Sequence, residues 1–188
     1  MTFNENISRL KESKIFLEWQ KEHVDAYLTH CFFMKDKMVE PEWQIGYYNP
    51  GTDLISTFVI GEKIIMNPDS EALKKEGMVD KLDISKVKKD YVDAFELANK
   101  VQVEEFKTHT PMKKIFILQN IEGKQIWNVT YVTNTFNTLN IKIDSETGEI
   151  ISKKLYAFLN GDLLPVIRSG AMKLTIDNIN YRLHEQGV

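Results

Sequence analysis

EWQIGYY at residues 42–48 and IWNVTYV at residues 126–132 are the two stretches that decide the predicted fold. In both, large apolar side chains occupy alternate positions, and this spacing is typical of a β-strand with one buried face. The second set lies 84 positions after the first, and the matched residues are Trp43, Ile45 and Tyr47 with Trp127, Val129 and Tyr131. The match predicts that the chain contains two diverged copies of one structural unit.

The sequence on either side of these strands extends the match. The same spacing sets 32–34 (FFM) against 116–118 (FIL), and a one-residue gap sets 57–60 (TFVI) against 140–143 (NIKI). Turn-forming residues at 49–53 (NPGTD) connect the first hairpin. We predict β-strands over the ranges 42–48, 54–60, 113–119, 125–133, 138–144 and 149–158.

Two amphipathic stretches are predicted to be helices, one ahead of each hairpin. The first covers 7–30, and its apolar residues that recur every seven positions are Leu10, Leu17, Val24 and Cys31. The second covers 86–106 and also follows helical spacing. Asp83 or Ser85 is its predicted N-cap, because a short oxygen-bearing side chain can accept a hydrogen bond from the first helical turn.

Each copy therefore consists of a helix followed by strands. We expect an α+β protein of two tandem helix-plus-antiparallel-sheet units, with the helices packed on one sheet face. The predicted organisation is a first repeat at 1–68, a connection at 69–84, a second repeat at 85–159 and a C-terminal extension at 160–188. The apolar spacing of the extension suits a helix as well as a strand.

The composition narrows the class of partner. A net charge of −3 and only three arginines give no electrostatic reason to bind nucleic acid or anionic lipid. We therefore expect neither a nucleic acid nor a membrane as partner. The single cysteine excludes an intrachain disulfide, and the sequence has no signal-peptide pattern and no apolar run of membrane-spanning length. A cytoplasmic location is expected, and a trimmed signal or anchor is left open.

The side chains that could bind a metal ion have spacings that favour structural roles instead. Asp144, Glu146 and Glu149 lack the ligand spacing of a calcium loop, which favours a plain turn. His23 and His30 lie seven residues apart, farther than the i, i+4 pairs of helical metal sites. We expect no metal and no cofactor.

Cys31 adjoins His30, but neighbouring residues on a helix point about 100° apart, and a nucleophile needs its base aimed at it. Because Cys31 falls on the apolar stripe, we interpret it as a buried structural cysteine. No phosphate-loop, dinucleotide-binding or nucleophile-elbow motif occurs. An enzymatic activity is therefore less expected than a binding role.

DYVDAFELANK (90–100), WNVTY (127–131) and IDSETGEI (143–150) together resemble the PepSY-like family. The resemblance covers about 85–158, and more weakly 10–66 through the repeat. It implies a helix packed on an antiparallel sheet, with a binding or regulatory role rather than catalysis. Some relatives are associated with peptidase propeptides and inhibition. The chain departs from the pattern because it lacks a signal peptide and because its first copy lacks the D-x-x-T-G-E turn.

The polar side of the two hairpins is the predicted partner-binding surface. Its residues are Gln44, Tyr48, Asn128, Thr130, Val132, Asn140 and Lys142. Because an antiparallel sheet can leave one face in solvent, this face or a sheet edge would engage a protein, a peptide or a second subunit. Trp43 and Trp127 are expected in the core. The alternative is a small-ligand-binding protein or an enzyme of unrecognised type, with these indoles lining a pocket between helix and sheet.

Overall fold

The computed structural model describes residues 2–35, 42–72 and 79–157. The α-helices in these ranges are α1 (Phe3–Lys11), α2 (Lys14–Glu22) and α3 (Tyr91–Glu105). The strands of the first half are β1 (Tyr27–Lys35), β2 (Trp43–Asn49), β3 (Leu54–Ile60), β4 (Ile64–Met66) and β5 (Ser70–Glu71). The strands of the second half are β6 (Pro111–Ile121), β7 (Lys124–Thr133), β8 (Asn137–Asp144) and β9 (Ile150–Ala157). A 3₁₀ turn at Ile84–Lys86 precedes α3.

The strands form one antiparallel sheet in the order β4-β3-β2-β1-β6-β7-β8-β9, with β5 also paired to β3. Each half contributes consecutive hairpins to this sheet. The halves meet where β1 pairs with β6, with Phe32 opposite Ile117. The predicted α+β class with an antiparallel sheet is confirmed, and the strands of both halves belong to one continuous sheet.

The tryptophan-bearing hairpins of the two halves share one register. Trp43 lies opposite Ile60, and Trp127 lies opposite Ile143. The next inward-facing pairs are Ile45 with Phe58 and Val129 with Ile141. This pairing agrees with the sequence match, including the one extra residue in the first turn.

The predicted alignment of 32–34 with 116–118 is wrong by one residue. The residues of β1 and β6 that belong to the core under the helices are Cys31, Phe33, Phe116 and Leu118. Cys31 therefore corresponds to Phe116, and Phe33 to Leu118. The error matters because successive strand residues point to opposite faces, so that a shift of one residue exchanges the two faces.

The single helix predicted over 7–30 is also wrong. Of its residues that recur every seven positions, Leu17 and Val24 are 48% and 77% exposed, so the spacing does not mark a buried face. Ser13 interrupts the helix and caps α2, since its hydroxyl accepts a hydrogen bond from the N–H of Phe16. The segment after α2 becomes β1 because it pairs with β2 on one side and β6 on the other, and this pairing overrides the local helical spacing.

All three helices lie against one face of the sheet, as predicted. One hydrophobic cluster joins Phe3, Ile7, Leu10, Phe16, Trp19, Ala94, Ala98 and Val101 of the helices to Trp43, Trp127 and their strand neighbours. Helix α3 begins later than expected, because Asp90 is its N-cap and forms a capping box with Asp93. The predicted cap at Asp83 or Ser85 is wrong. Asp83 caps the 3₁₀ turn instead, after which the chain returns to an extended conformation.

The six predicted strands all form, with ends that agree within two residues where the structure describes them. The predicted C-terminal extension at 160–188 and part of the predicted connection at 69–84 lie outside the described residues. The limits of the two predicted units, 1–68 and 85–159, stay predictions.

Candidate functional site

The seven predicted partner-binding residues lie on the sheet face that points away from the helices, which we call the outer face. They alternate along their strands with core residues such as Tyr47, Val129 and Ile141. Those that are half-buried are Gln44, Val132 and Lys142, and those that are buried are Tyr48, Asn128, Thr130 and Asn140. The expectation of a solvated face is therefore wrong for the four buried residues.

Hydrogen bonds among the outer-face residues explain how polar side chains can lie buried. The Nδ2 of Asn140 donates to Asn128 Oδ1 at 2.6 Å and to Thr130 Oγ1 at 2.9 Å, which links β7 to β8. The hydroxyl of Tyr48 donates to Asp53 Oδ1 at 2.7 Å. Buried polar groups that are paired in this way stabilise the fold and offer less to a partner.

The edge of the sheet at β9 is more accessible than the outer face. Ile151 and Leu155 are 43% and 38% exposed, and Lys154 is exposed as well. Lys153 forms an ion pair with Glu105 of α3 on the helix side. A β-bulge falls at Ile151, between the pairs that join β9 to β8. The opposite edge is formed by β4, which has only three residues.

His30 and Cys31 lie on β1 rather than on a helix, so their side chains point to opposite faces of the sheet. Burial lowers the pKa of the His30 imidazole to about 4 and raises the pKa of the Cys31 thiol well above its usual value. A neutral imidazole and a protonated thiol on opposite faces are not a nucleophile and its base. Within residues 2–35, 42–72 and 79–157, no cluster of His, Cys, Asp or Glu could hold a metal ion.

The turn after β8 is structural, as the sequence indicates. Asp144 Oδ1 accepts hydrogen bonds from the backbone N–H groups of Glu146 at 2.8 Å and Thr147 at 3.1 Å. Gly148 has a φ of +82°, a left-handed value that glycine adopts without a steric penalty. The carboxylate of Asp144 is thus engaged in shaping a turn.

Both predicted core tryptophans lie in the core. The ring of Phe3 in α1 packs near both indoles, at centroid distances of 6.2 Å from Trp43 and 6.3 Å from Trp127. Trp127 Nε1 also donates to the backbone oxygen of Lys89 at 2.8 Å. Because the two indoles are 4% and 0% exposed, packing accounts for them without a ligand.

One exposed feature was missed by the sequence reasoning, which assigned no role to the turn between β7 and β8. Phe136 in this turn is 72% exposed and has a φ of +54°. The available signal was a phenylalanine inside TNTFN, a stretch of otherwise polar, turn-forming residues.

Comparisons with known proteins give one similar fold. No known family profile matches the chain, and no curated protein matches it. A crystal structure of a candidate lipoprotein from Clostridium difficile 630 is similar, with a TM-score of 0.52 and 11% sequence identity, over 75% of this chain and 90% of that chain. At this identity the likeness shows the fold alone. Within the described part of the chain, no helix has both the length and the apolar character required to cross a bilayer.

Proposed function

We propose that the chain is a non-catalytic binding or regulatory module, in which β9 receives an extended segment of a protein or peptide. The exposure of β9 carries this proposal. This eight-residue strand pairs with β8 on one side, and no strand among the described residues pairs with its other side. An added strand would satisfy the outward N–H and C=O groups of such an edge.

The edge is a better candidate than the outer face. Four of the seven predicted residues on that face are buried, and several of their polar groups are bonded within the protein. The opposite edge is also less suitable, because the three-residue β4 offers a much shorter ladder. A β-augmenting partner gains affinity from main-chain hydrogen bonds, so strand length favours β9.

The composition of β9 supports a partner other than a second copy of the chain. A β-bulge and lysine residues in an edge strand are features that commonly prevent identical edges from pairing. β9 has the bulge at Ile151 and carries Lys153 and Lys154. We infer a partner segment with acidic side chains beside its apolar ones, which would pair with Lys154 and cover Leu155.

Proline variants of β9 test this proposal. Backbone N–H groups alternate in direction along a strand, so one of K153P and K154P removes an N–H that points to β8 and the other removes an outward one. The variant that keeps the wild-type melting temperature identifies the outward position. Random ten-residue peptides displayed on phage are selected against the full chain and then titrated by calorimetry.

We expect the selected peptides to bind the outward-position variant at least about tenfold more weakly than the wild type, since a main-chain hydrogen bond of the new ladder is lost. A control proline at Ile65 in β4 should leave peptide binding unchanged. Peptides that bind both β9 variants as tightly as wild type, or that shift amide resonances away from β9, would contradict the proposal.

A further inference from the structure

The turn between β7 and β8 presents a bulky aromatic side chain to solvent. Phe136 is 72% exposed, and its φ of +54° lies in the left-handed region that large side chains rarely occupy. Glycine or asparagine usually fills such a position. Because phenylalanine gains neither burial nor favourable backbone geometry here, fold stability does not account for it.

Hydrogen bonds hold this turn in place. The N–H of Phe136 donates to Thr133 O at 3.1 Å, and the Thr133 hydroxyl bonds both backbone groups of Asn137, with distances of 2.9 and 3.2 Å. Asn134 exchanges two hydrogen bonds with the backbone of Thr110, at 2.9 and 3.0 Å. The phenyl ring is therefore projected from an ordered support, which lowers the entropic cost of binding through it.

A second exposed apolar side chain lies next to the turn. Pro111 pairs with Thr133 and Lys113 pairs with Val132, so Met112 occupies a bulge at the start of β6 and is 52% exposed. Phe136 and Met112 thus project at the same end of the sheet.

Every charged side chain in β6, in β7 and in β8 before Asp144 is positive. Residues 106–121 and 123–143 contain no aspartate or glutamate, although the whole chain has a net charge of −3. Lys107 is exposed in the loop that contacts the turn, and Lys113 flanks the bulge. The nearest acidic residues before this segment are Glu104 and Glu105 at the end of α3, and Glu105 is paired with Lys153.

We propose that this end of the sheet, formed by Phe136, Met112, Lys107 and Lys113, is a contact site for an anionic membrane surface. This proposal rests on the local charge and differs from the expectation drawn from the net charge of the whole chain. A projecting turn fits a flat bilayer surface, whereas a peptide requires a groove or a strand edge. Aromatic rings partition into the headgroup region, and lysines beside them attract anionic lipid. The turn lies beside the C-terminal end of β9, because Asn137 pairs with Ala157. Contact through Phe136 does not use the free edge of β9 and does not depend on the proposed peptide binding.

Vesicle flotation of the full chain tests the site. We expect binding to vesicles of phosphatidylcholine and phosphatidylglycerol in equal amounts, and much weaker binding to phosphatidylcholine alone. F136N should weaken binding about tenfold, because the apolar contact is lost. Its melting temperature should stay equal or rise, because asparagine tolerates a positive φ. K107Q/K113Q should weaken binding about fivefold per lysine.

A matched control and a second readout distinguish binding through this site from nonspecific adsorption of the protein to lipid. V24N replaces another exposed apolar residue, Val24 at 77% exposure, and should bind vesicles as the wild type does. In F136W the new indole fluorescence should shift to the blue on mixed vesicles. The proposal is overturned if the wild type does not bind mixed vesicles, or if F136N binds them as tightly as the wild type does. It is also overturned if the protein binds polyglutamate instead of vesicles, with the same dependence on Phe136.

Discussion

At position 46, the need for glycine is set by a neighbouring side chain that is distant in sequence. A Cβ at Gly46 would lie 2.1 Å from Cε1 and 2.5 Å from Nε2 of His30, on the adjacent strand. The imidazole is only 3% exposed, and its Nδ1 lies 3.0 Å from the hydroxyl of Thr29. The role of Gly46 is to leave space for this ring. That role cannot be inferred from the sequence around Gly46, because the two residues meet only when β1 and β2 pair.

We expect G46A to lower the free energy of unfolding by about 1–3 kcal/mol, because the buried ring of His30 must move from the space that the methyl group takes. Urea unfolding measures the loss. G51A is the control and should change stability by less than about 0.5 kcal/mol, because Gly51 lies in an exposed turn. Removing the ring in H30A should make the added G46A change much less harmful. A G46A protein as stable as wild type would contradict the packing argument.

His30 also predicts a dependence of stability on pH. Its folded pKa is lowered to about 4, against 6.5 for an unperturbed histidine, because burial disfavours the charged ring. Between these two values the unfolded chain binds more protons than the folded one. The contribution of His30 is therefore fully present above pH 6.5 and is lost progressively as the pH falls from 6.5 to about 4, with a total of ~3 kcal/mol.

Urea unfolding of wild type and H30Q from neutral pH to about pH 4 checks this prediction. The wild type should lose more stability than H30Q over that interval, since the other titrating groups are common to both. Resonances of the His30 ring followed by NMR should show no protonation near pH 6.5. An imidazole that titrates there would refute the assignment.

At the scale of elements, one carboxylate connects two helices. Asp90 caps α3 by accepting from the N–H of Tyr91 at 2.6 Å, and both its oxygens lie 3.2 Å from the N–H of Phe3 at the start of α1. Two helix N-termini, which each carry unpaired N–H groups, thus share one negatively charged acceptor. This contact joins α1 of the first half to α3 of the second.

D90A should therefore destabilise the protein by about 2–3 kcal/mol, more than the loss of a single N-cap. D83A is the matched control, because Asp83 caps only the 3₁₀ turn, and it should cost less than about 1 kcal/mol. Thermal and urea unfolding of both variants give the comparison. Equal losses would show that the bond to Phe3 contributes nothing.

The strands were more predictable than the helices for a physical reason. A strand with one core face shows its two-residue period directly, as in 42–48 and 125–133. In 7–30 the seven-residue spacing fitted a helix, but the outcome depended on Ser13 and on pairing between β1 and β6. The paired residues of β1 and β6 lie between 79 (Lys35 to Lys114) and 89 (His30 to Gln119) positions apart, and contacts at this distance leave no mark on local spacing.

At the scale of the molecule, the junction of β1 and β6 makes the halves one structure. Phe33 and Phe116 stack across this junction, with ring centroids 4.7 Å apart and planes 1° from parallel. Both side chains are fully buried in the cluster that also contains Trp43 and Trp127. We therefore infer that the two halves unfold together.

F33L and F116L should each lower stability by about 1–3 kcal/mol, and the double variant should lose less than the sum, by about 0.5–1.5 kcal/mol, because the stacking is lost only once. F58L is the control, since Phe58 packs on Phe16, Trp19 and Tyr47 and its loss should add to that of F116L. Calorimetry of the wild type should show a single transition. Two separate transitions would mean that the halves fold independently.

The candidate surfaces were only partly predictable. Alternation along each strand places the seven predicted residues on one face, and they lie there. Their burial was not predictable, because it depends on cross-strand bonds such as Asn140 to Asn128. The exposure of Phe136 depends likewise on how the turn is held against Thr110.

The sequence by itself determined the strands, their inward faces and the repeated hairpin, because strand periodicity and turn residues act over a few neighbouring positions. Only the tertiary structure decided that 27–30 belongs to a strand rather than to the first helix, that both halves share one sheet, and which surfaces meet solvent. These outcomes depend on pairing between segments far apart in the chain. The free energy of such pairing is a property of the assembled fold and cannot be read from any one segment.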